Sequence, residues 1–163
     1  MKKINVLIST FFGCGYFTKI PGTVSSLVTT ILIYIVYEKL GYNDLKYSII
    51  IFVTLFLYSF YVVKDSESEF KNKDPRQIVI DEVLGQAMPL ILLLHLSQNN
   101  QLSLPIEIYY ALSFLFFRFF DIIKPFPVSY FDKNFKNYFG IIMDDIMAGL
   151  YSMILIYLIS LKF

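Results

Sequence analysis

The chain has 163 residues and a formal net charge of +1, with 56% hydrophobic, 18% aromatic and only 17% charged residues and a mean hydropathy of +0.61. That length suits one domain, taken as 1–163, but an ordinary soluble domain carries about 25% charged residues, so this chain lacks the material for a polar coat. Its 14 Lys+Arg against 13 Asp+Glu argue against a basic nucleic-acid binder; one cysteine (Cys14) excludes an intramolecular disulfide framework and a zinc site of several thiolates, and one histidine (His95) argues against His-based metal sites and triads.

In chain order, Lys2 and Lys3 precede an apolar stretch over 4–12 that is interrupted by Asn5, Ser9 and Thr10. We read it as an amphipathic segment on the membrane surface, with Phe11, Phe12, Tyr16 and Phe17 as interfacial anchors, rather than as a cleaved signal. Charge-free runs follow over 20–37 (18 residues), 47–63 (17), 83–106 (24) and 146–161 (16), and a shorter one over 108–117 (10). A helix needs about 20 residues to cross hydrocarbon. The pattern predicts an all-α protein, a compact membrane-embedded bundle of five to six hydrophobic helices, with crossings near 22–38, 46–64, 77–96, 105–122 and 142–161. In that alternation Lys2, Lys3, Lys19, Lys64, Lys71, Lys73, Arg76, Arg118, Lys124, Lys133 and Lys136 share one side, leaving Lys39, Lys46 and Lys162 on the other. Such a bias marks the cytoplasmic face.

Four polar clusters fall on that face. Pro21-Gly22-Thr23-Val24-Ser25-Ser26 opens the first long helix, where Thr23 or Ser25 is expected to cap and free N–H groups to favour a phosphate. Asp81 and Glu82 enter an apolar run together, costly unless they are paired or bind a cation. Gly85 and Gln86 follow, the glycine allowing a close helix approach. Arg118, Asp121 and Lys124 recur every third residue and end at Pro125 and Pro127, a cation–anion–cation row suited to an anionic phosphate. Asp144 and Asp145 open the last apolar helix ahead of Ala148 and Gly149; neighbouring carboxylates repel unless a cation neutralises them.

Together these place Asp81, Glu82, Asp121, Asp144 and Asp145 beside Arg118 and Lys124 at the inner ends of three helices. An all-oxygen carboxylate cage suits Mg2+, with Mn2+ as a substitute, and metal-dependent chemistry on a phospholipid would need such a cage near the headgroups. The rival reading is a small ion-coupled transporter or channel subunit with buried carboxylates, against which the two cations argue.

At the same four places the chain resembles the phosphatidylglycerophosphatase A family of bacterial membrane lipid phosphatases. The matching stretches are PGTVSS at 21–26, IVIDEVLGQ at 78–86, FRFFDIIKPFP at 117–127 and GIIMDDIMAGL at 140–150. The resemblance implies Mg2+-dependent removal of the terminal phosphate of phosphatidylglycerophosphate, giving phosphatidylglycerol, at the cytoplasmic face of the bacterial inner membrane. It further implies Asp81, Glu82, Asp121, Asp144 and Asp145 as acidic site residues. Of these, Asp81, Glu82, Asp144 and Asp145 would hold metal, with Arg118, Lys124 and Thr23 against the phospholipid substrate. Metal-activated water is the expected nucleophile.

Overall fold

The computed structural model describes residues 2–16, 19–67, 69–70 and 75–162. Phe17 and the cations Lys71 and Lys73, counted above in the anchoring and charge-bias arguments, lie outside the described residues. The fold is all-helical among those residues: α1 (Lys2–Ser9), α2 (Pro21–Tyr34, running on through a wider π turn, Ile35–Lys39), α3 (Leu45–Glu67), α4 (Ile80–Gln98), α5 (Ile106–Ile123), α6 (Val128–Asn134) and α7 (Tyr138–Lys162). The five expected crossings correspond to α2, α3, α4, α5 and α7. Four stretches, Pro21–Lys39, Leu45–Ser66, Ile80–Gln98 and Tyr138–Leu161, are long and apolar enough to cross a membrane. Helix α5 has 18 residues and is interrupted by Glu107, Arg118 and Asp121, which keep it out of that group.

The helices begin and end for local reasons. Pro21 occupies the first turn of α2, where its missing N–H costs nothing. The capping position is Ile20, with no side-chain cap, so Thr23 and Ser25 do not play the capping role expected of them. The hydroxyls along α2 bond back into their own helix instead: Ser25 and Ser26 donate to the Gly22 carbonyl (2.9 and 2.8 Å), and Thr29 and Thr30 to Ser25 and Ser26 (2.8 and 2.9 Å). Satisfied in this way, the buried small residues give α2 a narrow face for close packing on α4. At the far end of α5, Lys124 adopts a left-handed conformation (φ 49°) and Pro125 stops the helix.

Helix α4 is the hub, packed by α7, α2, α3 and α5. Two apolar clusters stack along it. Leu90, Leu93, Leu96, Tyr109, Tyr110 and Ile156 fill one half of the bundle. Val63, Ile78, Ile80 and Ile142 fill the other, towards the starts of α4 and α7. Outward faces are apolar as well: Leu57 on α3 is 64% exposed, Leu158 on α7 53% and Leu115 on α5 58%. A protein in water would not display this much contiguous hydrocarbon; a lipid-facing one must. Helix α1 follows the same inside-out logic. Ile4, Leu7 and Phe12 point outward, while Asn5 turns inward and donates to the Asp65 carboxylate on α3 (2.8 Å).

Candidate active site

The starts of α2, α4 and α7 and the end of α5 meet at one end of the bundle around a cavity of about 530 Å³. This convergence follows from how α4 crosses α7. Gly85 and Gly149 touch at the crossing: a Cβ on Gly149 would run into the Gly85 carbonyl oxygen, and one on Gly85 would lie 2.6 Å from the Asp145 carbonyl oxygen. Asp81 stands four residues before Gly85, and Asp145 four before Gly149, so the tight crossing carries both carboxylates one turn onward to the same point. Glu82 joins them from the first turn of α4. Carboxylate oxygens of Asp81, Glu82 and Asp145 all lie within 4.8 Å of one another. The Glu82 head also rests against Gly22 in the first turn of α2, where any side chain would collide with its Oε1.

These groups are short of partners. Asp81 Oδ1 and Glu82 Oε2 are buried and accept no hydrogen bond, and nearby Arg118 Nε and Nη1 are buried and donate none. Arg118 Nη1 approaches Asp121 Oδ2 to 2.6 Å, a close ion pair one helical turn apart without hydrogen-bond angles. One turn deeper than Glu82, both polar atoms of the Gln86 amide are buried and unpartnered as well. Unpaired buried polar atoms each cost on the order of 1–3 kcal/mol, more when charged. Three clustered carboxylates, two of them with an unpartnered oxygen, beside a guanidinium whose Nε has no partner form a site suited to a cation and an anion together. The starts of three helices add positive potential around it.

Beside this floor lies a separate ionic unit. Lys124 Nζ donates to Asp144 Oδ2 and to Asp132 Oδ1, each at 2.7 Å, and Asp144 Oδ1 accepts from the Asp145 N–H at 3.0 Å. Burial alone would draw the Lys124 ammonium down, but Asp144 and Asp132 overcome it and hold the lysine above its ordinary value. Burial would likewise raise Asp132, yet Lys124 outweighs it and keeps that carboxyl below the usual carboxylate range. The two carboxylates thus fix Lys124 at the cavity wall.

All eight residues expected at the site line this cavity: Thr23, Asp81, Glu82, Arg118, Asp121, Lys124, Asp144 and Asp145. Three of the four expected metal ligands come together; the fourth, Asp144, turns to Lys124. Lys124 in turn is engaged by two carboxylates rather than standing free for a phosphate. Sequence reading overlooked Asp132, Lys19, Arg76 and Lys136, which also line the cavity. Of these the three cations entered only the charge-bias argument, and Asp132 entered none.

An apolar helical bundle whose polar residues gather in a cavity of carboxylates and cations at its end is an enzyme built for phosphate chemistry next to lipid. The chain belongs to the phosphatidylglycerophosphatase A family, whose model matches residues 7–160, and is a phosphatase. It is 34% identical to the phosphatidylglycerophosphatase A of Haemophilus influenzae over 165 residues, covering 98% of this chain and 94% of that one. It is 29% identical to the Escherichia coli phosphatidylglycerophosphatase A over 154 residues, 94% of this chain and 82% of that one. A Bacteroides thetaiotaomicron protein named provisionally as a phosphatidylinositol-3-phosphatase is 34% identical over 151 residues, 93% of this chain and 90% of its own. No solved structure matches the chain. Family membership sets the transport reading aside.

Proposed function

We propose that the protein removes the terminal phosphate of phosphatidylglycerophosphate to give phosphatidylglycerol, in a Mg2+-dependent hydrolysis at the cytoplasmic face of the inner membrane. The observation that carries this reading is the group of three carboxylates, Asp81, Glu82 and Asp145, with oxygens within 4.8 Å of one another, beside Arg118, whose Nε has no partner. An all-oxygen donor set with two unpartnered oxygens fits Mg2+ or Mn2+ by its chemistry. When bound, the ion supplies charge neutralisation at the phosphate and a water of lowered pKa.

The chain's own residues do the rest. Arg118 offers its unpartnered Nε to the phosphate oxygens, and Asp121 pairs with Nη1 and holds the guanidinium in place. Lys124, fixed by Asp144 and Asp132, keeps a positive charge at the wall where the monoester enters. Thr23 lines the site from the first turn of α2. The cytoplasmic assignment rests on Lys19, Arg76, Lys133 and Lys136 lying at the cavity end of the bundle.

The Bacteroides relative favours a second reading in which the headgroup is an inositol phosphate. Both names share one chemistry: a phosphomonoester on a headgroup that is itself joined to diacylglycerol by a phosphodiester. Phosphate release from each lipid, with Mg2+ and with EDTA, tests both readings. Metal-dependent release from phosphatidylglycerophosphate supports the first, and release from the inositol lipid alone supports the second.

A further inference from the structure

The cavity is larger than one phosphate requires, and its charged lining divides by depth. At about 530 Å³ it falls within the range that encloses a ligand of many atoms. Its floor holds the buried carboxylates and Arg118. Its mouth holds Lys19, Arg76 and Lys136, all exposed. Among the described residues Lys19 and Arg76 have no ion-pair partner, and Lys136 has only Asp132 at 4.0 Å, a carboxylate already taken by Lys124 at 2.7 Å. Among the described residues the mouth therefore carries a surplus of positive charge, on exposed side chains apart from the buried group on the floor.

We infer that Lys19, Arg76 and Lys136 form a second anion subsite, which holds the bridging phosphodiester of the lipid while the monoester occupies the floor. This rests on the reading under Proposed function. It makes the mouth the determinant of substrate class, selecting lipids with two phosphates over diacylglycerol phosphate, whose single phosphate is the scissile one. Arg76 contributes a planar fork that suits a diester's two free oxygens, and the lysines contribute point charge.

The test compares kcat/KM for phosphatidylglycerophosphate and for phosphatidate, each in neutral detergent micelles at fixed Mg2+, for the wild type and the Lys19→Gln/Arg76→Gln double variant. The wild type is expected to favour the two-phosphate lipid. The variant is expected to lose about tenfold of that preference, through KM rather than kcat, and Arg76→Lys to restore part of it. A wild type without preference, or a preference unchanged in the variant, overturns the subsite. So does an equal loss on both lipids, which would mark the mouth as a general attractor of anionic surfaces. A wild type that hydrolyses neither lipid overturns the reading of function, and the subsite with it.

Discussion

Gly85 of α4 and Gly149 of α7 lie backbone to backbone, so close that a Cβ on Gly149 would overlap the Gly85 carbonyl oxygen. That contact sits one turn from Asp81 on one helix and from Asp145 on the other. It therefore sets the spacing of the carboxylates as well as the packing of the bundle.

Gly149→Ala should force the helices apart at this crossing. Overpacking of this kind costs on the order of 1–3 kcal/mol. Activity is expected to fall by more than about tenfold, because small misplacements at a reacting centre are magnified in rate. Thermal unfolding in detergent alongside phosphate release would separate the two effects. A variant with wild-type turnover would detach the carboxylate spacing from the crossing.

Adjacent aspartates should behave differently. Asp145→Asn removes one member of the carboxylate group and should raise the Mg2+ concentration for half-maximal activity at least about tenfold, with turnover nearly abolished. Asp144→Asn removes a partner of Lys124 and should depress kcat/KM while leaving the Mg2+ requirement within about twofold. Mg2+ titrations of initial rate check both, and coincident shifts would place Asp144 among the ligands after all.

This division shows where sequence reading stops. The expected crossings match α2, α3, α4, α5 and α7 to within about four residues, and for all but α5 the reason is that bilayer thickness imposes length and apolarity on a single chain segment. Which residues meet in the cavity was legible too, since carboxylates at the ends of apolar helices are costly unless they are gathered with partners. Roles were not. Adjacent helical residues point about 100° apart, so which of Asp144 and Asp145 meets α4 depends on the rotation of α7 at the glycine crossing. Asp132 was hidden for a related reason: α6 is short, and only the fold of the 124–138 segment brings it back to Lys124.

The Lys124–Asp132 pair predicts a pH signature. Asp132 is held below its ordinary value, so its stabilisation is present above about pH 4 and is lost as pH falls through the lowered value. Lys124 is held above its own, so its share is complete below about pH 10 and is lost at higher pH. Asp132→Asn should therefore destabilise the protein by about 1–2 kcal/mol at neutral pH. The difference from wild type should hold down to about pH 4 and shrink as the medium is taken below it. Melting curves across pH would show this; a difference independent of pH would assign Asp132 a packing role.

His95 lies in the last turn of α4, at the opposite end of the bundle from the cavity, 3.3 Å from the Asn99 amide. His95→Gln should leave kcat and KM within about twofold of wild type. A large loss would require the far end of the bundle to take part in the reaction.

The most direct measurement is anomalous scattering from crystals of the protein grown with Mn2+. The account predicts one or more manganese peaks among the side-chain oxygens of Asp81, Glu82 and Asp145, and their disappearance in Asp145→Asn. Manganese bound only elsewhere, with those three carboxylates free of it, would contradict the claim that they are gathered to hold a catalytic cation.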